Sequence, residues 1–172
     1  KLIAKKYNLK IPKKYKRSSL AIGNFDGAHK GHQKVFIHAK KYAKKNNSRF
    51  GILTFSPLPI MFFNKKLKNY RIDSLNQKIL SSKKYGSDFL IIKKFNEKFS
   101  NISSENFIKE IIYKKLKTKL IFISKNFRFG KNRTGDIKLL KKREIFFKYK
   151  TQTITPLNKK NLTVSSTLIR NK

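Results

Sequence analysis

Two histidines three residues apart, His29 and His32, follow the run Leu20-Ala21-Ile22-Gly23-Asn24-Phe25-Asp26-Gly27-Ala28. If a helix begins near Lys30, both rings lie on one face of its first turn. A helix N-terminus also offers unpaired backbone N–H groups and a partial positive charge, so the combination suits the oxygens of a triphosphate. Gly23, Asn24, Phe25, Asp26 and Gly31 are the other candidates of this loop, although Asp26 reads equally as half of an Asp-Gly turn. The run matches neither G-x-x-x-x-G-K-[ST] nor G-x-G-x-x-G, which disfavours P-loop kinases and dinucleotide dehydrogenases. The third histidine, His38, falls mid-helix without companions and reads as a helix-surface residue.

Two further constellations have chemical potential. Ser165, Ser166 and Thr167 cluster hydroxyls at a helix start, with Arg170 on the same face, a pattern that can bind phosphate together with backbone N–H groups but on its own reads more readily as an N-cap with a surface arginine. Asn126-Phe127-Arg128-Phe129-Gly130 follows a predicted strand and pairs an amide with two rings, which suits a flat heterocycle. Alternatively, its phenylalanines anchor a loop in the core. Pro57-Leu58-Pro59 leads into an apolar cluster at 60–63, read as a flap or a pocket wall.

The elements that must position these residues follow from periodicity. Apolar runs predict strands at 19–23, 49–55, 88–95 and 120–123. Helical spacing predicts a helix over 31–46 and another capped by Asp73 or Ser74, running to Tyr85 and ended by Gly86. A third is capped by Ser103 or Ser104, with Phe107, Ile108, Ile111, Ile112 and Leu116 as its core stripe. A short helix at 137–143, a strand-like stretch at 145–154 and a segment at 162–170 complete the chain, and the first seventeen residues add at most an edge strand. The alternation predicts one doubly wound α/β domain over 1–172 with a mainly parallel sheet. In such sheets ligands bind beyond the carboxyl ends of the strands.

Bulk composition bounds the rest. The 172 residues suit one domain with a real core. No run of about 18 apolar residues and no signal-peptide pattern is present, so no membrane association and a cytoplasmic location are expected. The absence of cysteine excludes thiolate metal sites. Lys and Arg number 44 against 8 Asp and Glu, a net charge of +36 that ordinarily points to nucleic acid. The lysines are scattered through helices and strands alike, however, which argues against a nucleic-acid face and for composition drift at tolerant surface positions.

With these stretches in view, the chain resembles the adenylyltransferase module of prokaryotic FAD synthase, the bifunctional riboflavin kinase/FMN adenylyltransferase family. The resemblance is carried by residues 23–33, 54–59, 126–130 with Gly135-Asp136, and 165–170, in the family's order. It implies a Rossmann-like nucleotidyltransferase fold of the H-x-G-H type and transfer of AMP from ATP to FMN, giving FAD and pyrophosphate with Mg²⁺. By the same resemblance His29 and His32 are catalytic. Gly23, Asn24, Phe25, Asp26, Gly31, Ser165, Ser166, Thr167 and Arg170 bind ATP, and Pro57, Asn126, Phe127 and Phe129 bind the flavin. Leu58 and Thr163 depart from the family pattern, which often has a histidine and a basic residue there. The family's riboflavin kinase domain is expected to be absent from 1–172, and the metal ligands are not legible. The rival readings are a nucleotidyltransferase acting on another phosphorylated acceptor, and a basic nucleic-acid-binding module on the same fold.

Overall fold

The computed structural model describes residues 3–6, 9–27, 30–67, 70–155, 158–159 and 162–163. In chain order its elements are β1 (Ile3–Lys6), β2 (Ser19–Ile22), α1 (Lys30–Lys45), β3 (Phe50–Ser56), α2 (Pro59–Phe63), α3 (Leu75–Lys84) and β4 (Phe89–Lys94). They continue with α4 (Glu97–Ser100), α5 (Ser104–Asn106) running into a π-helical stretch Phe107–Lys115, β5 (Leu120–Ser124), α6 (Ile137–Phe147) and β6 (Lys150–Ile154). Two short antiparallel strands, β7 (Asn158–Lys159) and β8 (Leu162–Thr163), come last.

The apolar runs become strands buried on both faces, as parallel sheets require. The six longer strands form one sheet of order β1-β4-β3-β2-β5-β6, with every pairing parallel. Successive side chains on each strand point to opposite faces. Leu20, Ile22, Leu53, Ile91 and Ile121 therefore join one core with Phe107, Ile108 and Leu140, while Ala21, Ile52, Leu90 and Phe122 join another with Val35, Phe36 and Ala39 of α1. The result is the predicted three-layer α/β architecture, and the basic N-terminal stretch does supply an edge strand.

Helix starts follow local chemistry. Ser74 accepts from the Gln77 N–H while the Gln77 side chain accepts from the Ser74 N–H, a capping box. Ser103 caps α5 through the Asn106 N–H at 3.1 Å, and Asp136 caps α6 through the Leu139 N–H at 2.9 Å.

One boundary departs from the sequence expectation. The stretch at 145–154 is not one strand: Ile145 to Phe147 complete α6, and the strand begins at Lys150. The apolar run mimics β structure, yet burying Leu140 and Phe147 seven residues apart on one helix face outweighs that preference, and Lys148 closes the helix in the left-handed region at φ 54°. Ile145 and Phe146 are left 90% and 75% exposed.

Gly51 carries a packing constraint of the sheet centre. It lies in register with Phe89 on the neighbouring strand, and a Cβ there would come within 2.0 Å of the Phe89 ring. Gly51→Ala is therefore expected to destabilise the chain by about 1–3 kcal/mol through overpacking, read as a lower urea midpoint with an unchanged slope.

Candidate functional site

The loop after β2 is held by bonds from the opposite side of the chain. The Gly23 N–H extends the sheet ladder by donating to the Leu53 carbonyl at 3.1 Å. The next carbonyl, of Asn24, accepts from the Thr54 hydroxyl at 2.8 Å and from the Lys78 ammonium. Asp26, only 1% exposed, accepts from the N–H groups of Ile72 and Asp73 at 2.9 to 3.1 Å. In return the Asp73 carboxylate accepts from the Gly27 N–H at 2.9 Å.

These ties hold an unusual backbone. Phe25 has φ 43° and Gly27 φ 77°, both left-handed. For a bulky residue such as Phe25 that conformation costs on the order of 1–3 kcal/mol, and it persists only where surrounding contacts over-determine it. The Phe25 ring supplies some of them. It packs against Phe36 at 4.7 Å between centroids and edge-on to His32 at 5.3 Å.

A cleft of about 740 Å³ opens beyond the carboxyl ends of the strands. Ile22, Phe55, Ser124 and Ile154, at or near the ends of β2, β3, β5 and β6, form its floor. This is the switch point where the chain winds to either side of β2, the usual place for a ligand in such sheets. One wall is the glycine loop and helix start: Gly23, Asn24 and Phe25 with Gly31 and His32 from the first turn of α1. The facing wall is aromatic. Phe55, Phe95, Phe99, Phe107, Phe127 and Phe129 all line it.

The loop at 126–135 builds much of that aromatic wall. Phe129 and Gly135 exchange backbone bonds at 3.0 and 2.8 Å, and a Cβ on Gly135 would strike the Phe129 ring at 2.5 Å. Gly130 has φ 74° and lies where a Cβ would come within 2.6 Å of the Ser104 backbone. The ring of Phe129 is thus buried against Phe107 at 5.0 Å, so it anchors the loop, as the core-anchoring alternative anticipates. Phe127 stacks on it at 5.7 Å and remains half-buried, with Asn126 exposed beside it. Arg128, Lys131 and Arg133 bring positive charge to the rim.

Of the residues predicted from sequence, Gly23, Asn24, Phe25, Gly31, His32, Asn126, Phe127 and Phe129 meet in this cleft. Asp26 does not line it; its carboxylate faces the backbone of residues 72 and 73. Pro57 is exposed outside the lining, whereas Pro59, Ile60 and Phe63 reach it, so the apolar cluster at 60–63 is a pocket wall built on α2. His29, Ser165, Ser166, Thr167 and Arg170 lie outside the described residues. Sequence reasoning missed Phe55, Phe95 and Phe99, which read as ordinary strand and helix phenylalanines, and Lys78, which resembles any other lysine of this chain.

Among the described residues no group of three or more histidines and carboxylates gathers. The two carboxylates under the loop, Asp26 and Asp73, accept from backbone N–H groups. The described residues therefore do not form a protein cage for a divalent cation. Nor is any described helix long and apolar enough to cross a membrane.

Comparison with known proteins bears on the whole chain. A sequence model of the FAD synthetase family matches residues 11–168. The bifunctional riboflavin kinase/FMN adenylyltransferase of Buchnera aphidicola subsp. Schizaphis graminum is 42% identical over 171 residues, 99% of this chain and 54% of that protein. The protein of the same name from Escherichia coli strain K12 is 28% identical over 151 residues, 88% of this chain and 48% of its own length. The chain thus spans about half the length of these relatives. Among solved structures, one titled macrolide-efflux protein from Streptococcus pneumoniae superposes with TM-score 0.82 at 24% identity, over 99% of this chain and 56% of that one. Pantoate-beta-alanine ligase from Francisella tularensis gives 0.63 at 15% identity, over 99% and 73%. At those identities the two structures establish the fold alone.

The loop has a titrating element. Burial first, and then the neighbouring Asp26, push the Asp73 carboxyl above its ordinary 3.8, against the lowering effects of the Gly27 N–H and of Lys78. A raised acid contributes stability that is present below its unfolded value and lost as pH rises through the folded one. Asp73→Asn keeps an oxygen for Gly27 and does not ionise. Its melting temperature relative to the parent chain should therefore rise as pH goes from about 3 to about 7. A difference that stays flat over that range would contradict the assignment.

Proposed function

The chain belongs to the FAD synthetase family, and from that premise we propose that it is an FMN adenylyltransferase. An oxygen of the FMN phosphate attacks the α-phosphorus of ATP in line, a new phosphoanhydride bond forms, and the bond to the β-phosphate breaks to release pyrophosphate. No covalent enzyme intermediate is needed. The protein's part is to hold two anions in line and to neutralise charge as pyrophosphate leaves.

The observation that carries this reading is the two-sided cleft. One wall offers a helix N-terminus, a glycine loop and His32; the other offers stacked rings and an amide. The first suits phosphates, the second a flat heterocycle. His32, with His29, stabilises the transferring phosphate, and Ser165, Ser166, Thr167 and Arg170 grip the triphosphate from the other side. Asn126 and Phe127 contact the flavin, with the α2 cluster after Pro57 covering it. Mg²⁺ belongs with the triphosphate, since this ion is commonly held through substrate phosphates. Leu58, buried at 2% exposure, and Thr163 weaken phosphate contacts relative to the family pattern, which affects affinity and not reaction type. The reaction's water-soluble substrates fit a cytoplasmic protein.

Incubation with FMN, ATP and Mg²⁺ is expected to give FAD and pyrophosphate, separated by chromatography. No FAD from folded protein would overturn the proposal, and product from another phosphorylated acceptor but not FMN would redirect it within the superfamily. His32→Ala should lower kcat by about 10²–10³-fold, as loss of one transition-state donor does, with little change in melting temperature. A large fall in melting temperature with turnover retained would assign His32 to structure.

A further inference from the structure

Among the described residues Lys78 is the only lysine or arginine that is fully buried, at 5% exposure in a chain with 44 cationic residues. It sits one turn into α3, and its Nζ donates to the Asn24 carbonyl and lies 3.4 Å from the Thr54 hydroxyl. With Phe25, Phe36, Ile52, Leu90, Ser81 and Ser82 it lines a void of only about 10 Å³, and its charge acts on the Asp73 carboxylate. An ammonium placed among such groups persists only where its hydrogen bonds offset the lost hydration.

The bond acts on one peptide plane. In a trans peptide the carbonyl and the following N–H point in opposite directions. Turning the Asn24 carbonyl inward to Lys78 and Thr54 therefore directs the Phe25 N–H away from the core, on the side where Asn24 and Phe25 line the cleft. The same peptide leads into the left-handed Phe25, a conformation that needs an external hold. Lys78 is not among the residues that line the cleft.

We infer that Lys78 is a positioning residue for triphosphate binding: it fixes the Asn24–Phe25 peptide so that the loop presents its N–H groups to phosphate oxygens. This rests on the reading of the cleft as an ATP site. The effect is directional, because the bonds of Lys78 to Asn24 and Thr54 act on the loop wall of the cleft, so the loss falls on ATP and spares FMN.

The test uses the full chain with Lys78→Met, which keeps length and removes the donor, and Lys78→Gln, which keeps a donor and removes the charge. ATP affinity is measured by calorimetry, FMN affinity by fluorescence quenching, and loop order by amide exchange at residues 23–27. Lys78→Met is expected to weaken ATP about 10-fold or more, as losing a charged hydrogen bond does, with FMN affinity unchanged and faster exchange at Phe25 and Gly27. Lys78→Gln should fall between the two. Unchanged ATP affinity in a folded Lys78→Met chain overturns the inference, as does an equal loss of ATP and FMN affinity, which marks a merely structural lysine. If Lys78→Met does not fold, the same comparison on Lys78→Gln decides. A parent chain that binds ATP yet makes no FAD defeats the transferase reading while the ATP titration still judges Lys78; one that binds no ATP overturns both.

Discussion

The site depends on a reciprocal exchange between two aspartates. Asp26 receives the N–H groups ahead of α3, and Asp73, in that same segment, receives the N–H of Gly27. A loop that turns sharply from a buried strand into a helix has polar backbone groups shielded from water, and each must find a partner. Here the partners are carboxylates on both sides of one contact, joined by Lys78 and Thr54 on the Asn24 carbonyl. The loop's strained residue, Phe25, is tolerable because its neighbours on either side are bonded and its ring is packed. Loop and helix α3 thus define each other, and the position of His32 follows, since its ring rests against Phe25.

The sheet places this device where it has a use. Strand order brings the ends of β2 and β5 together at the point where the winding reverses, and the cleft opens there. One neighbour of the gap is a helix N-terminus with glycines, the other a set of rings fixed by Gly130 and Gly135. Each wall is made rigid by a different means. Backbone hydrogen bonds to the carboxylates of Asp26 and Asp73 hold the first, and ring-on-ring and ring-on-glycine packing holds the second. The proposed transfer between two anions would benefit from both, because small errors in alignment reduce transfer rates steeply.

Charge in this chain is easily misjudged from its sum. Seven of its eight carboxylates accept a hydrogen bond: Asp26, Asp73, Asp88, Glu105, Glu110, Asp136 and Glu144. They cap helices, bind strand or loop N–H groups, or pair with cations. The acids present therefore serve structural roles in a surface dominated by lysine, and the net charge of +36 says little about partners. The lysine that matters most for the loop is the buried one, whose importance is invisible in a charge count.

By itself the sequence determined the parallel α/β layering, because four uninterrupted apolar runs separated by helical stripes admit few other arrangements. It also determined the helix caps at Ser74 and Ser103 to within a residue, and the loop-helix junction with its histidine, since glycines, capping residues and periodicity are local signals. Tertiary structure decided the rest, because the rest depends on residues far apart in the chain. That Asp26 braces residues 72 and 73 instead of facing the cleft, that Phe129 anchors while Phe127 is offered, and that Phe55, Phe95 and Phe99 line one wall follow only from packing. The helix over Ile145 to Phe147 is the plainest case: locally those residues favour a strand, and a buried face seven residues deep overrode them. Lys78 is the subtlest, one lysine among many until the fold buries it beneath the loop it holds.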